Sequence, residues 1–182
     1  MAVIININFT PLPPNSCQFI EKIVFFDMEF KLIDIYADTV EASSKQKGAY
    51  ILIIFVEKNK KISIGKLGDM VFRKGCYAYV GSAMGGLSKR IKVHINKNRK
   101  PRWHIDYLLK EAHLSKIILL ITDNKIEDRV ACLFEKRFKK IDKFGASDSK
   151  VCDSHLFFVQ KENAVGAILK EVEFLKKLKL GK

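Results

Sequence analysis

Tyr79 closes the segment Tyr79-Val80-Gly81-Ser82-Ala83 on its N-terminal side, and Arg90 and His94 follow it four residues apart. Four residues are about one turn of α-helix, so guanidinium and imidazole share a face and can point at one site. A phenol, a permanent cation and an imidazole converging beside a tight turn suit phosphodiester chemistry. In projection Leu87, Ile91 and Ile95 form one arc with Arg90 and His94 on its flank, while Lys89, Lys92 and Asn96 point away. Arg90 and His94 are thus expected where core meets surface. A snorkelling arginine with histidine as filler would occupy the same places.

Glu127 is the second group of interest. On a third amphipathic helix it projects between Phe134 and Phe138, inside the apolar arc, whereas Asp128 and Glu135 point outward. A carboxylate aimed inward needs a partner, because an unpaired buried charge is costly. A divalent cation would serve, and hard oxygen donors suit magnesium. The spacing from Asn124 to Glu127 equally fits a capping box, which needs no metal. His104 follows the single tryptophan, Trp103, directly after the basic loop Asn98-Arg99-Lys100-Pro101-Arg102; ordinary polar duty at a helix start is its other reading. His113 is expected near the end of that same helix, where the dipole favours a cation. Cys152 and His155 form an isolated C-x-x-H, a weak zinc pattern without a second half. Gly85-Gly86 lacks the lysine and hydroxyl of a P-loop.

The elements that must hold these groups follow from periodicity. Gly48 to Val56 (GAYILIIFV) reads as a buried strand, and residues 58–75, with glycines at 65, 68 and 75, as an inserted hairpin or ribbon. Cys76 to Val80 returns as a strand, and a helix runs to about Lys97. Trp103 to His113 carries the Ile105, Leu108, Leu109, Ala112 stripe of a second helix. Ile117 to Ile121 is a strand, Lys125 to Lys140 a third helix, Leu156 to Val159 a strand and Asn163 to Lys179 a lysine-rich amphipathic helix. The order predicts an α/β fold: a small mixed or antiparallel sheet flanked by helices. Residues 1–46, with Pro11-Leu12-Pro13-Pro14, are set apart as an N-terminal extension, and Met28 is a possible internal start. Residues 47–160 are the expected domain and 161–182 the C-terminal helix.

A chain of 182 residues with 48% hydrophobic residues can bury a single core. Its 33 basic against 20 acidic residues give a net charge of +13, which favours a polyanionic partner, nucleic acid first. Lys89, Lys97, Arg99, Lys100 and Arg102 are the expected contacts. A lysine-rich surface without such a partner is the alternative. No apolar run reaches the roughly 18–20 residues of a membrane span. The absence of a basic leader and the scattered cysteines at 17, 76, 132 and 152 fit a cytoplasmic protein without membrane partners.

At these residues the chain resembles the GIY-YIG nucleases over roughly Gly48 to Val159. Gly48-Ala49-Tyr50 stands where that family has Gly-Ile-Tyr, and Tyr79-Val80-Gly81 where it has Tyr-Ile-Gly. Through YVGSAMGGL, WHIDYLL and GASDSKVCDSHLFF it is most similar to an archaeal and bacterial GIY-YIG-like family of unassigned function, sometimes fused to endonuclease III. The resemblance implies a GIY-YIG-like fold and metal-dependent endonuclease activity, nicking or structure-related, on nucleic acid, with DNA the first expectation and RNA left open. Tyr50 and Tyr79 would position or activate water, Arg90 would stabilise charge on the phosphate, and His94 and His104 would relay protons or hold substrate. Glu127 would bind one Mg2+ or Mn2+. A catalytically silent nucleic-acid-binding or protein-interaction module is the alternative. The chain departs from the pattern in the long interval between Tyr50 and Tyr79. Asp148 is the nearest polar counterpart of the family's late asparagine, and Ser149 stands where close relatives often carry cysteine.

Overall fold

The computed structural model describes residues 2–6, 46–96, 98–146 and 151–160. The predicted C-terminal helix, Met28, Lys97, Asp148 and Ser149 lie outside them. The strands are β1 (Ala2–Asn6), β2 (Gly48–Val56), β3 (Lys60–Ser63), β4 (Asp69–Phe72), β5 (Gly75–Ser82), β6 (His113–Ile121), β7 (Lys139–Lys140) and β8 (Leu156–Phe158). The helices are α1 (Leu87–Ile95), α2 (His104–Glu111) and α3 (Glu127–Glu135).

Six strands form one sheet in the order β1-β6-β2-β5-β8-β7, every neighbouring pair antiparallel. The expected small α/β fold is therefore the observed one, with the sheet antiparallel. β2 sits inside the sheet with both faces covered, which is why it reads as an unbroken apolar run. Tyr50, Leu52, Ile54 and Val56 join the core beneath α1, α2 and the β3–β4 ribbon. Ala49, Ile51 and Ile53 join the second core, against Val130, Ala131 and Phe134 of α3.

Four elements depart from the sequence expectations. Ala2–Asn6, within the segment set apart as an extension, pairs along β6 from Leu120 to Lys116. The second helix ends at Glu111: Ala112 is extended (φ −137, ψ 168) and His113 is the first residue of β6, beside Phe55 of β2. His113 is thus a strand residue, and sheet pairing overrides the helical stripe that continues through Ala112. β6 accordingly starts four residues before the predicted strand. The third helix ends at Glu135, and Lys139–Lys140 turn back to pair with Phe157 and Phe158.

Candidate functional site

One end of the sheet, where β2 begins and β5 finishes, gathers the chemistry. Tyr50 lies opposite Gly81 in the β2–β5 ladder. A Cβ on Gly81 would collide with the Tyr50 ring and hydroxyl, so this glycine is fixed by space for the phenol rather than by backbone conformation. Gly145 plays the same part for Tyr79: its absent Cβ would stand 2.9 Å from the Tyr79 ring, and its φ of +73 also favours glycine.

The Tyr50 hydroxyl lies 2.8 Å from His94 Nε2, and His94 Nδ1 lies 3.0 Å from Asp106 Oδ1. An ionised carboxylate only accepts, so Nδ1–H donates to Asp106 and, with the ring neutral, Nε2 accepts from Tyr50. The other Asp106 oxygen accepts from Arg99 at 2.7 Å and from the backbone N–H groups of Arg102 and Trp103. Burial alone would raise the Asp106 carboxyl, but the bonds from His94, Trp103 and Arg102 outweigh it and hold it below the ordinary range. Asp106 was not among the sequence candidates. Its signal was an acid three residues after Trp103, half of a capping box at the start of α2.

Tyr50 is 2% exposed, and its phenol is pushed well above the usual value. Desolvation is the chief cause, followed by Tyr79, while Arg90 opposes the shift and Asp106 and Glu127 add to it. Tyr79, Arg90 and Glu127, from β5, α1 and α3, all contribute to the shift of this one phenol, Glu127 the least. The Tyr50 and Tyr79 rings are 6.4 Å apart between centroids.

Arg90 is half-buried, as its boundary position predicts, and its guanidinium sits 4.2 Å above the Trp103 ring. The guanidinium carbons of Arg99 and Arg102 are each 5.2 Å from the same ring. Among the described residues Arg90 has no carboxylate partner. Lys89, Lys100 and Arg102 are exposed. Lys89, Lys92, Asn96 and the half-buried Arg99 border a groove of ≈ 430 Å³ along the outer face of α1.

Glu127 is 5% exposed and is the first residue of α3, with Ile126 at the cap. The capping-box reading thereby fails: Glu127 is the first helical residue rather than the third, and the cap residue is Ile126, without a side-chain cap bond. Glu127 Oε1 lies 3.3 Å from Lys125, a side chain 70% exposed, but Oε2 is buried without a hydrogen-bond partner among the described residues. A buried carboxylate oxygen left unmatched is costly unless something arrives to meet it. A hard divalent cation held by one carboxylate, with substrate phosphate and water completing the shell, fits that donor set.

His104 accepts the Gly145 backbone N–H at 3.3 Å through Nδ1, and desolvation pushes its pKa down. Gly145 packs on Tyr79, so His104 stands one residue removed from the phenols. Cys152 and His155 are both occupied by Asp128: the thiol donates to its carbonyl at 3.1 Å, and His155 Nε2 meets its carboxylate at 3.1 Å. Burial, then Cys132, pushes the Cys152 thiol up to about 12. Among the described residues no three or more His, Cys, Asp or Glu side chains form a metal-holding group. No described helix is long and apolar enough to cross a membrane.

A family model described as a domain of unknown function, DUF123, matches residues 49–177, from the second residue of β2 to beyond β8. No curated protein and no solved structure matches the chain.

Proposed function

The chain belongs to the DUF123 family, and we propose that it binds DNA and hydrolyses a phosphodiester bond with one divalent cation. The observation that carries the reading is Glu127 Oε2, a buried carboxylate oxygen without a hydrogen-bond partner among the described residues. The net charge of +13 supports a nucleic-acid partner.

The chemistry follows from the chain's own groups. Burial makes a Tyr50 phenolate costly, so the phenol can take a proton from an attacking water only as its own passes to His94 Nε2. Asp106, held ionised, orients the imidazole and stabilises the cation it becomes, the logic of a catalytic triad with tyrosine in the first place. Tyr79 places a second aromatic wall beside this path. Arg90, fixed over Trp103 and without a carboxylate partner among the described residues, meets the charge that develops on the phosphate. Glu127 would hold Mg2+ or Mn2+, which would supply Lewis-acid stabilisation of charge on the phosphoryl oxygens. His104, whose pKa desolvation lowers, is held by the N–H of Gly145, which packs on Tyr79, and would hydrogen-bond substrate there.

A second reading is favoured by one feature. Tyr50, Tyr79, His94 and Glu127 are only 2%, 8%, 4% and 5% exposed. A site so covered would suit a silent DNA-binding module that retains the scaffold. Incubating the protein with supercoiled plasmid and branched DNA, with and without Mg2+ or Mn2+, separates the two. Cleavage that needs the cation and is lost in Glu127→Gln and Arg90→Ala supports the hydrolase; binding without cleavage supports the silent module.

A further inference from the structure

The long interval between Tyr50 and Tyr79 is filled by the β3–β4 ribbon, which the site chemistry leaves without a task. Between residues 58 and 74 it carries six basic side chains (Lys58, Lys60, Lys61, Lys66, Arg73 and Lys74) against the single carboxylate of Asp69. Its two faces differ. Ile62, Ile64 and Phe72 are buried in the core that also holds Tyr50 and Tyr79. Phe72 meets Tyr77 and Phe144 edge-on at 5.8 and 6.1 Å. Further ties come from Tyr77 O–H to the Arg73 carbonyl and from Lys60 to Glu111 of α2, while Lys74 N–H donates to Asn59 across the foot of the ribbon itself. The ribbon is bolted to the body, not a loose loop.

The cations left over lie around it. Lys61 is matched by Asp69, but Lys58, Arg73 and Lys74 at the foot of the ribbon and Lys66 in its turn are exposed and have no carboxylate partner among the described residues. Val71, 70% exposed, stands opposite Lys61 on the outer face. A rigid two-stranded antiparallel ribbon has the cross-section of the major groove of B-form DNA, and its flanking cations suit the two phosphate walls.

We propose that this ribbon is a second DNA contact that selects duplex, an inference that rests on the nucleic-acid reading above. Its position sets the footprint. The ladder places Tyr50 against Gly81 and Val56 against Gly75. Six residues of strand span about 20 Å, so the foot of the ribbon stands roughly that far from Tyr50, while its turn folds back on α2, where Gly65 packs against Tyr107. DNA whose linkage lies at Tyr50 reaches the cations at the foot, Arg73 and Lys74, only if its duplex extends along β2 for about six base pairs.

The test is fluorescence anisotropy in chelator, which suppresses cleavage. The probes are a DNA duplex of about two helical turns, the same sequence single-stranded, and the matching RNA duplex. The triple variant Lys66→Glu/Arg73→Glu/Lys74→Glu should melt with the wild type, since all three side chains are exposed. It should lose at least about tenfold in affinity for the DNA duplex, with a log–log salt slope shallower by about two to three. The single strand should change less than about twofold. RNA duplex should be little affected, because its major groove is too deep and narrow to admit a ribbon. Wild-type affinity and slope in the variant, no duplex affinity in the wild type, or equal losses on all three probes would each overturn the proposal. Glu127→Gln belongs in the same assay. Ribbon-dependent duplex binding by a wild type that never cleaves would remove the hydrolase reading and leave the ribbon standing.

Discussion

Tyr50 and His94, 44 residues apart in sequence, share a buried hydrogen bond of 2.8 Å between the phenol oxygen and Nε2. Replacing Tyr50 by Phe keeps the ring but leaves the imidazole nitrogen with no donor. An unsatisfied buried acceptor costs about 1–3 kcal/mol. Denaturant unfolding of Tyr50→Phe should show a loss in that range, and cleavage should fall by about 10²–10⁴. A variant as active as wild type would exclude Tyr50 from the proton path.

Gly81→Ala tests the same phenol from beneath. The added methyl group would occupy the space of the Tyr50 ring, and strand β5 is paired on both sides, so the ring must yield. Overpacking of this kind costs roughly 1–3 kcal/mol. The expected result is a lowered melting temperature with the His94 bond broken, seen as a change in the imidazole resonances by NMR. Unaltered His94 signals would show that the phenol's place is not set by the glycine.

Asp106 gives the pH dependence. Its folded pKa is depressed, so its contribution to stability is present above the ordinary carboxylate value of about 4 and is lost as pH falls through the lower folded value. Asp69 and Asp153 are depressed by their lysine partners, Lys61 and Lys140, and act with the same sign. Comparing Asp106→Asn with wild type isolates the buried share. The variant should be less stable at neutral pH, and the two stability curves should converge as the pH drops below 4. Parallel curves would mean that Asp106 is not ionised in the fold.

Local sequence signals located much of this architecture and failed where long-range pairing decided. β2, the ribbon and the Leu87 helix were legible because each is bounded by glycine or by a sharp change of period. Ala112 and Phe138 continue helical stripes, and nothing local stops either helix; pairing of His113 with Phe55 and of Lys139 with Phe158 does so. β1 could not be read, since its partner β6 lies more than a hundred residues away. Within the site, Arg90 and His94 declared themselves by spacing on one helix. Asp106 did not, because its role depends on α2 meeting α1, which no period within α2 encodes.

Glu127 offers a readout independent of turnover. A cation that binds only the folded state raises its stability in proportion to the logarithm of its excess over the dissociation constant. Wild-type protein should therefore melt higher with Mg2+ or Mn2+, by an increment worth about 2.7 kcal/mol at a hundredfold excess. Glu127→Gln should show no increment, because the amide removes the charge that opposes the cation. An equal shift in both proteins would place the cation elsewhere and leave Glu127 Oε2 unexplained.

Trp103 makes the phosphate step visible. It is the only tryptophan, so intrinsic fluorescence reports the ring on which Arg90 rests at 4.2 Å. Engaging a phosphate should draw the guanidinium from that ring, trading a contact worth about 0.5–2 kcal/mol for a charge-assisted hydrogen bond. DNA titrated into wild-type protein should thus change the tryptophan emission. Arg90→Ala should start near the bound-state spectrum and change little, while cleavage drops by about 10²–10³, the effect of losing one transition-state donor. Arg90→Lys should recover only part of the activity, since an ammonium keeps the charge but not the planar stack. Arg99 and Arg102 remain beside Trp103 in both variants and make each an internal control. If Arg90→Ala responds to DNA as wild type does, the emission follows those two arginines, and Arg90 does not leave the ring to meet phosphate.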